Sequence, residues 1–415
     1  MKAGDGMGAV LGCGGQRPLR TLLFSTLYPA APRPSHGIFV ETRLRELLKS
    51  GRVQTRVLAP VPWFPLRGSR WGEYAQMAAT AAHEKRHGIE VDHPRYLVIP
   101  KLGMRLAPDA LLRCALPAAR RLQAEGFDFD LIDAHYFYPD GVAAVALGQA
   151  LDKPVVITAR GTDINLIPQH AAPRRMILDA AERCSHMITV CKALKDELVA
   201  LGATAGKVTV LRNGVDLALF HPQPREAARQ RFGMQAFSLV SVGHLIDRKG
   251  HHHVIGALPS MPRVTLYIAG SGPMESSLRA QAARLQVQDR VHFLGRLDQP
   301  ALCTLYSAAD ALVLASSREG WANVLLEAMA CGTPVVASNV WGTPEVVAAP
   351  AAGVLMPSLD AAGVAAGVRA LRAALPLRAA TRAYAEGFAW DDTTAGQLAI
   401  FNSVVRQHAA GLAHA

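Results

Sequence analysis

Cysteine is scarce in this chain and forms no pattern. Six residues (Cys13, Cys114, Cys184, Cys191, Cys303 and Cys331) in 415 are too few for a disulfide framework. No Cys-x-x-Cys pair exists to hold a structural zinc, so a reducing compartment is expected. No apolar run approaches the ~18 residues of a membrane-spanning helix. Residues 1–18 lack the apolar core of a secretory leader and are expected to be a disordered lead-in to a cytoplasmic protein. Glycine (35) and proline (26) fall short of low-complexity density, and charged residues make up 19% against 50% hydrophobic. A disordered scaffold, a collagen-like chain and an integral membrane protein are thereby excluded. At ~150 residues per domain, two or three domains are expected.

Charge is present but uneven. Residues 1–213 hold 28 Lys and Arg against 19 Asp and Glu, whereas 214–415 hold 16 against 14. A basic first half suits an acidic partner, such as an anionic membrane surface or a phosphorylated acceptor. No nucleic-acid motif accompanies it, and plain solubility charge explains it equally well.

Short apolar runs alternate with longer helical patterns. LIDAH (131–135), PVVIT (154–158), MITV (187–190) and KVTVL (207–211) serve the first half. SLVSVG (238–243), VTLYIAG (264–270), RVHFLG (290–295), ALVLAS (311–316) and TPVVAS (333–338) serve the second. These runs are continuous, as in strands buried on both faces of a parallel sheet. Between them lie stretches such as 274–286, with Leu278, Ala282 and Leu285 at helical spacing. The pattern predicts α/β architecture. Residues 212–237 interrupt it with Asn-Gly, two prolines and a charged stretch, which reads as a linker. Two Rossmann-like doubly wound domains facing across a cleft are expected. Ligands of such sheets sit beyond the strand carboxyl ends, so two facing sheets share one crevice.

Four segments lie where such a site would form. SVGHLIDRKG (241–250) ends a strand and supplies Arg248 and Lys249, a planar fork and a point charge suited to a diphosphate. SSREGWANVLLEAMACGTPVVAS (316–338) carries Glu319 in a loop and Glu327 one turn into a helix expected to start near Asn323. A helix N-terminus attracts phosphate, and the carboxylates suit sugar or ribose hydroxyls, since they only accept hydrogen bonds. DAHYFYPDG (133–141) places His135 at a strand end. TARGTDIN (158–165) places Arg160 and Asp163 around Gly161, with Asp163 equally readable as a cap. Taken singly, each segment also fits an ordinary turn.

Taken together, they resemble the retaining glycosyltransferases of family four, which have the GT-B fold. The resemblance runs from about Leu22 to about Trp390 and is strongest in EGWANVLLEAMACGTPVVAS. VGHLIDRKG, IAGSGP (268–273), RVHFLG, LYSAADALVLAS (305–316), NGVD (213–216), FAWDD (388–392) and YPAAPRPSHGIFV (28–40) also match family landmarks. The resemblance implies an N-terminal acceptor-side domain (19–213) and a C-terminal nucleotide-sugar domain (214–390), with the last helix (391–415) crossing back. It assigns Arg248 and Lys249 to the donor diphosphate, Glu327 to the ribose and Glu319 to the transferred sugar. The amides of Trp321, Ala322 and Asn323 would approach sugar or phosphate, and Gly37 would let the first-domain loop approach the phosphates. The base would lie near Gly270, Gly272, Pro273, Gly295 and Arg296. His135 would contact the sugar at the reacting centre. Two positions depart from the family: His244 stands where an arginine is frequent, and Arg160 where a histidine is. Arg160 is always charged, so it would bind an anionic acceptor or the donor.

The expected reaction moves a sugar from a nucleoside-diphosphate sugar to a saccharide or lipid-linked acceptor, in cell-surface polysaccharide or glycolipid assembly. No carboxylate is placed as a nucleophile, so same-face substitution with retention is expected. No metal is expected: the adjacent His251–His253 point ~100° apart on a helix, so three in a row cannot converge on one ion. On the acceptor side, with Arg160 and Asp163, Trp63 belongs to VPWFPLRGSRW (61–71), where Trp63, Phe64 and Trp71 mix with Arg67 and Arg70. Such a mixture suits peripheral contact with the inner membrane face or a lipid-linked pyrophosphate. A non-catalytic subunit of the same fold and a sugar-nucleotide epimerase are the competing readings.

Overall fold

Strands Leu131–His135 and Val155–Ala159 are buried at every residue. Their side chains meet helices on both faces, which is why these runs are apolar without alternation. The computed structural model describes residues 17–66, 68–98 and 103–413. Most of the expected lead-in therefore lies outside the described residues.

Two parallel-rich sheets organise these residues. The first, in spatial order, is Val208–Val210, His186–Thr189, Val155–Ala159, Leu131–His135, Leu19–Phe24, Val53–Leu58, Ile89–Asp92 and His83–Arg86. Only the last pair is antiparallel. The second runs Val291–Gly295, Val264–Ala269, Phe237–Val242, Ala311–Leu314, Val335–Ser338 and Gly353–Met356, all parallel. Numbered within its own lobe, this second order is 3-2-1-4-5-6, the doubly wound Rossmann arrangement. Its order reverses between Phe237–Val242 and Ala311–Leu314. The first sheet reverses between Leu19–Phe24 and Leu131–His135. Each reversal opens a crevice at the strand carboxyl ends, and the two crevices face one another.

Five strands of these sheets fall outside the apolar runs read from the sequence: Leu19–Phe24, Val53–Leu58, the hairpin His83–Arg86 with Ile89–Asp92, and Gly353–Met356. Val53–Leu58 carries Gln54, Thr55 and Arg56, and His83–Arg86 is charged throughout, so neither shows a continuous apolar run. The interruption at 212–237 is only partly a linker. Arg225–Phe232 is a helix anchored to the second lobe, with Arg225 and Arg229 both bound to Asp310.

The last helix, Asp391–Ala413, returns to the first lobe. Leu398, Phe401 and Val404 pack with Leu47, Val53, Leu131, Val156 and Ile188. Full burial of Phe401 stabilises this crossing by roughly 1.5–3 kcal/mol. Among the described residues, no helix is long and apolar enough to cross a membrane.

Candidate active site

Lys249 and Glu319 come from loops on either side of the second lobe's strand reversal. Lys249 Nζ donates to Glu319 Oε1 at 2.6 Å, and both side chains are largely buried. Arg248 donates to the Arg318 carbonyl at 3.0 Å, holding the two loops together. These groups line an interlobe cavity of about 370 Å³. The opposite wall comes from Leu27, Phe39, Tyr136, Arg160 and Thr162 of the first lobe.

The helix Asn323–Ala330 starts at this cavity, as expected from the sequence. The amides of Trp321 and Ala322, just before it, donate to no group among the described residues. Unpaired N–H groups at a positive helix end, beside Arg248 and Lys249, form a cradle for anionic oxygens. One turn on, Glu327 lines a second interlobe cavity of about 300 Å³, with Phe39 and Asn323 common to both cavities. Tyr306 Oη donates to Glu327 Oε2 at 3.1 Å. Burial pushes the Glu327 carboxyl up to about 7, with the Tyr306 hydrogen bond opposing. The oxygens of this carboxyl are placed to accept from hydroxyl donors.

The lobes nearly touch at two glycines. A Cβ on Gly320 would lie 1.9 Å from the Arg160 carbonyl oxygen and 3.0 Å from the Gly161 Cα. No other residue fits that approach without moving the lobes apart. The connecting residue Asn213 ties the same region together. Its main-chain oxygen accepts from Trp321 Nε1 at 3.0 Å, and its Nδ2 donates to Asn323 Oδ1 at 3.3 Å.

Behind the first-lobe wall lies a closed ring of buried side chains. Arg160 donates to His135 Nδ1 and, at 3.2 Å, to Asn213 Oδ1. Arg43 donates to Asn213 Oδ1 at 3.4 Å and to Gln397 Oε1 at 2.9 Å. Gln397 Nε2 donates to Asp133 Oδ2 at 3.2 Å, and His135 Nε2 closes the ring on the same oxygen at 3.2 Å. A guanidinium only donates, so His135 Nδ1 carries the lone pair and Nε2 the proton. Burial, with Arg160 nearby and Asp133 opposing, lowers the imidazole to about 4. Burial also lowers Arg160 to about 9 and Arg43 to about 10.

Two residues expected at the site line neither interlobe cavity. His135 does not reach the reacting centre through its ring: it is 1% exposed and both nitrogens are taken. Asp163 is fully buried, and its carboxylate accepts from the amides of Phe137, Arg160 and Gly161. It braces two loops and has no oxygen to offer an acceptor. Arg160 does line the cavity, while its guanidinium is also committed to His135 and Asn213.

Other expected residues are distributed as follows. Gly37 caps the helix Ile38–Lys49, whose Ile38 and Phe39 line the cavities. Trp321 buries its indole against the connecting segment, leaving its main chain at the cavity. Gly270 and Gly272 pack against Gly243 and Leu245; a Cβ on Gly270 would fall 1.8 Å from the Gly243 carbonyl oxygen. Their glycine identity serves this loop packing, and neither lines an interlobe cavity, nor do Gly295 and the exposed Arg296. His244 is exposed. Trp63, 53% exposed, lies outside both cavities; its neighbour Arg67 lies outside the described residues. Sequence reasoning did not single out Tyr136, Arg43 or Gln397. Tyr136 adopts φ +81°, uncommon for a bulky side chain and a mark of strain at functional sites. Among the described residues, no group of three or more His, Cys, Asp or Glu could hold a metal ion.

Comparison with known proteins matches these features. The family model described as Glycosyltransferase Family 4 matches residues 74–219, and that described as Glycosyl transferases group 1 matches residues 223–388. The D-inositol 3-phosphate glycosyltransferase of Mycobacterium avium is 30% identical over 395 residues, covering 83% of this chain and 92% of that protein. The chain belongs to the family-four glycosyltransferases. This glycosyltransferase is also 35% identical to the glycogen synthase of Mycobacterium tuberculosis over 281 residues, 63% of this chain and 66% of that relative. The putative teichuronic acid biosynthesis glycosyltransferase TuaC of Bacillus subtilis is 28% identical over 335 residues, 78% of this chain and 82% of that one. Among solved structures, sucrose-phosphate synthase from Thermosynechococcus elongatus superposes with a TM-score of 0.76 at 21% identity, covering 94% of this chain and all of that one. Anabaena HepE, solved with UDP and glucose, gives 0.69 at 22% identity, covering 93% and 100%. At such identities these structures establish the GT-B fold.

Proposed function

We propose that this glycosyltransferase moves a sugar, with retention of anomeric configuration, from a nucleoside-diphosphate sugar to a saccharide or lipid-linked acceptor in cell-surface polysaccharide or glycolipid assembly. The observation that carries this reading is the convergence of Arg248, Lys249, Glu319 and the helix start at Asn323 on one interlobe cavity.

Charge placement supplies the mechanism. Departure of the nucleoside diphosphate develops negative charge on the leaving oxygen. Arg248, Lys249 and the unpaired amides of Trp321 and Ala322 stabilise that charge from fixed positions. Glu319 accepts from a sugar hydroxyl, and its ion pair with Lys249 fixes both groups before substrate arrives. Glu327 accepts from the ribose hydroxyls. Neither glutamate is left free as a nucleophile, so the acceptor attacks the face the diphosphate leaves, and the leaving phosphate takes the acceptor proton. The neutral His135 ring orients Arg160 and takes no part in proton transfer.

Peripheral contact with an anionic membrane at its inner face belongs to the same reading. Phe64 packs against Trp71 and Tyr74 with ring centroids 5.7 and 5.1 Å apart, and Arg70 lies over Trp71. Trp63 and Tyr74 stay more than half exposed. Aromatics and arginine together suit a headgroup layer. The test is NMR of the product formed from an α-linked nucleotide sugar. An α-linked product supports the reading; a β-linked product or a trapped glycosyl-enzyme adduct overturns its mechanism.

A further inference from the structure

A third cavity opens on the first lobe beside the catalytic cleft. It encloses about 450 Å³, within the ~300–1,000 Å³ range of small-molecule sites. Its walls are apolar: Leu97 and Val98 on one side, Met104, Leu106 and Ala110 of the helix Gly103–Ala124 on the other. Leu97 is 67% exposed, and Val98, Met104 and Leu106 are each above 40%. Four exposed aliphatic side chains around one concavity are unusual on a surface bathed only by water.

Three observations say what fills it. First, the groove continues into the catalytic cleft, because Tyr136 lines both. Its hydroxyl lies close enough to Arg248 to feel that charge. Second, charges of both signs stand along the groove: Arg113 and Asp109 line it, and Tyr96 in its wall feels Asp140 and, more weakly, Arg33. Arg33 Nε is buried without a hydrogen-bond partner. Third, Tyr138 contributes to the floor, is 2% exposed, and its buried hydroxyl also lacks a partner. The groove thus joins an apolar trough to unpaired polar groups and to the site of sugar transfer.

We propose that this groove is the hydrocarbon subsite for an amphiphilic acceptor. The chain of an isoprenoid or acyl phosphate lies between Leu97–Val98 and Met104–Ala110, and its phosphate-bearing head passes over Tyr136 into the interlobe cavity. This rests on the glycosyltransferase reading above and selects, from its two acceptor classes, the lipid-linked one.

The experiment is calorimetric titration with a series of n-alkyl phosphates below their micellar concentrations, from butyl to decyl, with inorganic phosphate as the reference. Burial of each added methylene tightens binding by about fourfold when complete, so affinity rises along the series and levels off once the trough is full. Ala110→Trp fills the trough, and Leu106→Ser, at an exposed position, strips one wall without threatening the fold. Both flatten the dependence on chain length and leave nucleoside-diphosphate binding unchanged. Affinity independent of chain length in the wild type overturns the proposal, as does a dependence that survives undiminished in both variants. Binding to phosphatidylglycerol vesicles with no binding of alkyl phosphates also overturns it, assigning the apolar surface to the bilayer. Loss of nucleoside-diphosphate binding by the wild type strikes the glycosyltransferase reading instead, so the two failures are distinguishable.

Discussion

The two lobes meet the same cleft in opposite ways. The second lobe presents its charged groups directly: Arg248, Lys249, Glu319 and Glu327 all line interlobe cavities. The first lobe brings Arg45, Glu46 and Arg160 to the cavities, but behind that wall Asp133, His135, Asn213, Arg43 and Gln397 join Arg160 in a closed buried ring. One lobe is built for chemistry at its surface. The other is built to hold a wall and a junction rigid, and it shows that a histidine at a strand's carboxyl end can belong to scaffolding.

Substitutions in the two lobes are expected to fail differently. The largest effect is expected for Lys249→Ala, which removes the cation proposed to face the leaving diphosphate. Turnover with nucleotide sugar should fall by about 10²–10³-fold. Next comes Gly320→Ala, whose Cβ collides with the Arg160 carbonyl and pushes the lobes apart. A displacement of about 1 Å between reacting groups costs up to ~10²-fold in kcat, read by steady-state kinetics. Asp133→Asn sharpens the other side of the comparison. It leaves Arg43 and Arg160 buried without their counter-charge, and urea unfolding should show a loss of about 3 kcal/mol. A turnover defect in Asp133→Asn without any loss of stability would break the contrast.

The smallest effect concerns pH. The Glu327 carboxyl has an ordinary value of 4.5 and is raised to about 7 by burial. Between those values the folded state holds a proton that the unfolded state has released, so this group makes stability fall as pH rises through the window. Thermal melts near pH 5 and near pH 8 should therefore differ less in Glu327→Gln than in the wild type. An equal difference would show that Glu327 is not the titrating group.

The same contrast explains what could be read from the amino-acid sequence. The second lobe's site is written in two short segments, 241–250 and 316–338, each spanning a strand end and the turn or helix after it, so the family resemblance could assign its groups position by position. The fold was legible for a related reason: strands buried on both faces leave continuous apolar runs. Val53–Leu58 escaped notice because Gln54 and Arg56 break such a run. The ring was not legible. Its members stand at 43, 133, 135, 160, 213 and 397, and pairs such as Arg43 with Gln397 join residues 354 apart in the chain. Nothing local marks Arg43 or Gln397, and only the return of the last helix brings them together. Asp163 shows the reverse error, a carboxylate well placed for function by position but consumed by three backbone amides.

The most direct test of the central claim is amide hydrogen exchange with a panel of nucleoside diphosphates, on the wild type and on Lys249→Ala. A nucleoside diphosphate is expected to slow exchange in 243–250 and 319–324, including the unpaired amides of Trp321 and Ala322, and Lys249→Ala to weaken this protection at equal ligand concentration. Protection confined to segments away from the interlobe cleft, or protection identical in Lys249→Ala, would contradict it.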